Sequence, residues 1–116
     1  MGRRKSMPET DYRASRFCRV LGNPTAYQVL KILQKSEKTP TGLVHDIGLS
    51  VKTISDTLRY VRQVTMVRYD TRDKNKIYFL KDKSITQILN TIENYVNTMR
   101  VKKWKSVIPR ITGMTE

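Results

Sequence analysis

Between Ser50 and Lys76 the chain concentrates side chains suited to hydrogen bonding and to holding anions. Ser50, Val51, Lys52, Thr53, Ser55 and Asp56 crowd one short stretch, and Arg59, Arg62, Arg68, Arg72, Lys74 and Lys76 follow it. A lysine reaches a guanine edge, and a valine or a threonine methyl touches a thymine methyl. An aspartate accepts from a cytosine amine, or else pairs with a nearby cation. Spaced cations hold phosphates without choosing sequence. This is the chemistry of reading and gripping a nucleic acid. Bond-breaking chemistry finds no matching constellation: there is no Gly-rich phosphate loop, no nucleophile beside a base, and no pair of acids in an apolar setting. No enzyme activity is expected.

The whole chain agrees with that reading. Its 116 residues hold 23 Lys and Arg against 10 Asp and Glu, a formal +13, so a polyanion is the natural partner. No run approaches the roughly 18 to 20 apolar residues of a membrane span, and the basic N-terminus leads into no apolar stretch. A cytoplasmic protein is expected, nucleoid-associated in a prokaryote, with no membrane partner. The two isolated residues that could do other chemistry are read conservatively. Cys18 lies in an apolar pattern between Phe17 and Val20 and is expected to be a core thiol. His45 has no second ligand near it and is expected on the surface.

The elements that must position these residues follow from spacing. Residues 1–9 are basic and nearly devoid of apolar side chains, so they are expected to form a disordered arm. Tyr12, Ala14, Phe17, Val20 and Leu21 recur at helical spacing. Gly22-Asn23-Pro24 then supplies a stop, an N-cap and a proline at the first helical position. A second helix, apolar on more than one side through Ala26, Tyr27, Val29, Leu30, Ile32 and Leu33, runs to about Lys35. Thr39 or Thr41 caps a short third helix, which Gly48 ends in a left-handed conformation. Ser50 caps a fourth, over about 50–64, whose inner face is Ile54, Leu58 and Val61. Tyr60 is open to either a backbone contact or the core.

Two short helices joined by a Gly-containing turn make a helix-turn-helix. Next, Met66 to Asp70 and Lys76 to Leu80 predict a β-hairpin with a polar tip at Thr71 to Asn75. Finally Ile85, Ile88, Leu89, Ile92, Tyr95, Val96 and Met99 keep helical spacing after Asp82 or Ser84. That face is too apolar to be covered by so small a body, and a second copy of the helix is its expected cover. The fold expected is mainly α with a small β-hairpin, a winged helix-turn-helix over residues 10–99. Residues 100–116 form a basic tail around Trp104.

From Tyr12 to Tyr95 the chain resembles the ArsR/SmtB family of winged-helix regulators. The likeness rests on Leu21-Gly22-Asn23-Pro24-Thr25 with Val29-Leu30, on Val67 through Leu80, and above all on Leu43-Val44-His45-Asp46-Ile47-Gly48-Leu49-Ser50 with Thr53-Ile54-Ser55 and Leu58. It departs from the family at Asp56-Thr57, where Arg-His is frequent, and at Thr65, where a small turn residue is usual. The resemblance implies a homodimer built through the first and last helices, adding Tyr12 and Phe17 to the interface. It also brings the expectation of metal control, which the residues oppose. Thr39 and Thr41 stand where the family's metal-sensing members have two thiolates, and the last helix has no His, so no metal or other cofactor is expected.

The functional expectation is a sequence-specific regulator of transcription, acting as a repressor on a pseudo-palindromic operator in double-stranded DNA. The fourth helix would enter the major groove, and the wing, about 66–80, would meet the flanking backbone or minor groove. The competing expectation is a winged helix that binds nucleic acid without sequence preference, or binds protein, in chromatin, replication or transcription machinery.

Overall fold

A computed structural model describes residues 5–102, and residues 1–4 and 103–116, with Arg3, Arg4 and the Trp104 tail, lie outside the described set. The element order is α1 (Glu9–Leu21), α2 (Pro24–Lys35), α3 (Pro40–Ile47), α4 (Val51–Gln63), β1 (Val67–Arg72), β2 (Asn75–Leu80) and α5 (Lys83–Lys102). The first six elements belong to one compact unit ending at Asp82, and α5 belongs to a second.

Helix starts follow local chemistry. Each helix leaves its first amides without intrahelical acceptors, and short polar side chains supply them. Asn23 Oδ1 accepts from the Ala26 amide at 3.0 Å, Thr39 Oγ1 from Gly42 at 3.0 Å, and Ser50 Oγ from Thr53 at 3.1 Å. Each cap stabilises its helix by about 1 kcal/mol. Pro24 and Pro40 occupy the first helical positions, where a missing amide costs nothing. Gly48 ends α3 at φ 84°, and its amide donates to the Val44 carbonyl.

Helix α4 ends differently. The Thr65 amide donates to the Arg62 carbonyl and the Met66 amide to that of Val61, a Schellman pair of bonds that puts Thr65 in the left-handed region at φ 63°. A β-branched residue in that conformation is strained. The chain accepts the strain where it must turn from α4 into β1.

The core of the first unit comes from every layer: Val20 of α1; Ala26, Val29, Leu30 and Leu33 of α2; Leu43 of α3; Ile54, Leu58 and Val61 of α4; and Met66, Val67 and Tyr78 around the hairpin. Each fully buried Leu or Ile stabilises the fold by about 1.5–3 kcal/mol relative to exposure. On α5, Ile85 and Leu89 are buried, Ile88 and Met99 are partly so, and Ile92, Tyr95 and Val96 are exposed.

Two expectations need correction. Cys18 is exposed and not a core thiol. At about 100° per residue it lies roughly 160° around α1 from Val20, the residue of α1 that is buried. The hairpin tip is shorter than five residues, because the strands run on to Arg72 and Asn75 and close through Asp73 and Lys74. Both turn residues have positive φ, 51° and 68°, the type I′ geometry that matches strand twist.

The hairpin also gains an edge that patterning did not reveal. Lys38, in the connection between α2 and α3, pairs with Tyr78 of β2: its amide donates to the Tyr78 carbonyl at 3.1 Å and its carbonyl accepts from the Tyr78 amide at 2.8 Å.

Candidate nucleic-acid interface

Helix α4 turns Ile54, Leu58 and Val61 inward, and this leaves Lys52, Asp56, Arg59 and Gln63, spaced four, three and four, along its outward stripe. Val51, Thr53 and Ser55 are exposed beside the stripe. The predicted readout residues therefore share one accessible, N-capped helix surface, and Val51 is 64% exposed despite being apolar.

The stripe is internally paired. Lys52 Nζ donates to Asp56 Oδ2 at 3.0 Å, and Asp56 Oδ1 lies 3.7 Å from the Arg59 guanidinium. In the free chain Asp56 is thus paired with cations on both sides along the helix. Near the helix start the Ser50 hydroxyl donates to Thr53 Oγ1 at 2.9 Å, while the Thr57 hydroxyl donates to the Thr53 carbonyl at 2.7 Å. Tyr60 is half-buried, between its two predicted alternatives.

The wing is tied to α4 by aromatic contacts. Tyr69 and Tyr78 face each other across the hairpin with ring centroids 5.2 Å apart. The Arg62 guanidinium lies 5.0 Å from the Tyr69 ring centre, and the Lys76 ammonium 4.9 Å. Such cation–π contacts hold long side chains in place while leaving their charge available.

Arg72 behaves otherwise. Its guanidinium donates to both carboxylate oxygens of Glu37, at 3.0 and 3.4 Å, and lies 3.5 Å from Asp70. The Glu37 hydrogen bond, and then its charge, hold the Arg72 pKa above its ordinary value. Arg68 and Lys74 are exposed and have no ion-pair partner among the described residues. Sequence reasoning missed Glu37 and the Tyr69 platform, since nothing local marks a partner 35 residues away.

Elsewhere Lys38 Nζ meets Asp46 Oδ2 at 3.0 Å, and this hydrogen bond is the largest influence lowering the Asp46 pKa. His45 is at the surface, 3.6 Å from Asp46. Among the described residues no group of three or more His, Cys, Asp and Glu could hold a metal ion, and no helix is long and apolar enough to cross a membrane.

No protein-family model matches the chain, and no curated protein does. Solved structures do match. M. tuberculosis Rv0081 is 20% identical with a TM-score of 0.78, over 84% of this chain and 98% of that one. NolR from Sinorhizobium fredii is 23% identical with a TM-score of 0.70, over 80% of this chain and 96% of the other. The homodimeric winged helix-turn-helix DNA-binding domain of Mb0332 from Mycobacterium bovis is 14% identical with a TM-score of 0.74, over 84% and 90%. The fold is a winged helix-turn-helix, with five helices and a two-stranded antiparallel wing among the described residues.

Proposed function

We propose that the chain binds double-stranded DNA sequence-specifically as a regulator of transcription, in the cytoplasm, with repression as its mode. One observation carries the reading: the exposed face of α4 presents Val51, Lys52, Thr53, Ser55 and Asp56 to solvent, beside a wing bearing Arg68 and Lys74. A helix and a basic hairpin so placed suit a major groove and its flanking phosphates. The formal +13 supplies the general attraction. The winged-helix neighbours, one of them a homodimeric DNA-binding domain, support the same reading.

The working form in this proposal is a homodimer on a pseudo-palindromic operator. Exposed Tyr12, Ile92, Tyr95 and Val96 are apolar or aromatic surface that a second copy would cover. Half-buried Phe17, Ile88 and Met99 lie on the same two helices.

Selection of bound sequences from random duplex DNA tests the proposal. One enriched sequence with twofold symmetry is the expected result. Equal recovery of all sequences would refute specific readout and favour a winged helix that grips the backbone alone.

A further inference from the structure

Two adjoining depressions open beside the C-terminal half of α4, and both are lined by Tyr60 and Gln63. One, of about 270 Å³, also takes in Asn23, Asp56, Thr57 and Arg59; the other, of about 100 Å³, has no carboxylate in its lining and takes in Arg16 and Arg19 of α1. Arg16 and Arg19 are exposed, one helical turn apart, and among the described residues neither has an ion-pair partner. Two unneutralised guanidiniums beside a phenol and an amide form a donor-rich cleft suited to a phosphate oxygen.

Position gives the cleft a meaning. Tyr60 looks into it, and Arg62, two residues on and so about 160° away around α4, stacks on Tyr69 of the wing. The outward stripe of α4 therefore runs between two flanks, the wing on one side and the Arg16/Arg19 cleft on the other. A major groove is bounded by a phosphate strand on each rim.

We propose that Arg16 and Arg19 bind backbone phosphates of duplex DNA on the groove rim opposite the wing, so that α4 is clamped from both sides. This rests on the DNA-binding reading above and extends it to α1, which the family resemblance implies for the dimer interface. The contact is to phosphate, so it holds and orients α4 without selecting bases.

The test compares wild type, Arg16→Gln/Arg19→Gln, Arg13→Gln and Lys74→Gln by fluorescence anisotropy on a labelled duplex of mixed sequence across a salt series. Circular dichroism confirms the fold of each, and glutamine preserves helix propensity. Two lost phosphate contacts should flatten the slope of log affinity against log salt by about 1.8. Arg13, on the same helix but outside the cleft, should leave the slope nearly unchanged. An unaltered slope for the double variant, with a flattened one for Lys74→Gln, would overturn the proposal and leave DNA binding standing. An equal per-charge loss for Arg13→Gln would overturn it too, because net charge and not the cleft would then account for the effect. Failure of wild type to bind any duplex would remove the underlying reading itself.

Discussion

Arg72, at the end of β1, and Glu37, just past the end of α2, meet in a two-point ion pair at 3.0 and 3.4 Å across 35 residues of chain. A wing cation that could meet DNA is thus already occupied by a carboxylate on the same molecule. Two effects compete at this pair: it ties the turn end of the wing to the connection after α2, and it withholds charge from a phosphate.

Glu37→Gln separates the two. The pair is exposed, so loss of stability should be small, with an almost unchanged melting temperature. With only the longer Asp70 contact left, Arg72 should strengthen binding to all duplexes alike and steepen the salt slope by up to about one phosphate contact. A variant that melts many degrees lower would show that the pair is mainly a structural strut.

Lys52 and Lys74 should fail in different ways. Lys52→Gln should lower the preference for the selected sequence by about 1–3 kcal/mol at one base position, whereas Lys74→Gln should weaken all duplexes uniformly. Competition binding with matched and mismatched duplexes measures both. Equal loss of discrimination from each would contradict the assignment of α4 to bases and the wing to backbone.

Thr65 carries the strain of the α4 exit at φ 63°. Glycine adopts that conformation without a Cβ clash but loses more entropy on folding, so Thr65→Gly should stabilise by about 0.5–1 kcal/mol. Thermal unfolding should shift upward by roughly 2–6 °C. A downward shift would mean that the threonine side chain contributes more than its backbone costs.

Asp46 gives a pH signature. Lys38 lowers its pKa below the ordinary 3.8, so the stabilisation is complete above that value and is lost as pH falls through the lowered one. Asp46→Asn should therefore melt slightly below wild type at neutral pH, and the two should converge well below pH 3.8. A gap that persists in acid would assign the effect to packing.

If the exposed end of α5 is a dimer surface, Ile92→Glu with Val96→Glu should convert the protein to monomers in light scattering and weaken binding to a two-half-site duplex far more than to a single half-site. Unchanged mass would place the interface elsewhere.

Much of the fold was legible because its punctuation is local. Asn23-Pro24, Thr39, Gly48 and Ser50 each act within a turn of where they stand, and the four-and-three spacing of Ile54, Leu58 and Val61 orients α4 without reference to any other element. The stripe it turns outward was legible for the same reason. What escaped depended on distant partners or on weak local signals. The Lys38 bridge to Tyr78 is one residue long and has no period to detect. Asp73-Lys74 lacks the glycine that marks a two-residue turn, so the polar ends of the strands looked like loop. Cys18 sat in an apolar neighbourhood of the chain but on the wrong arc of its helix. Glu37 looked like a connector residue until the fold carried it to Arg72.

Lys38 fastens three parts of the molecule at once. Its backbone exchanges two hydrogen bonds with Tyr78 of β2, and its ammonium grips Asp46 on α3. The spacing between the helix-turn-helix and the hairpin is therefore set before any ligand arrives, so little freedom remains to be surrendered when they engage one surface together. The amide protons of Lys38 and Tyr78 should accordingly exchange with solvent in a single opening event, and a proline at position 38 would uncouple the hairpin from the helices as if a hinge pin had been drawn.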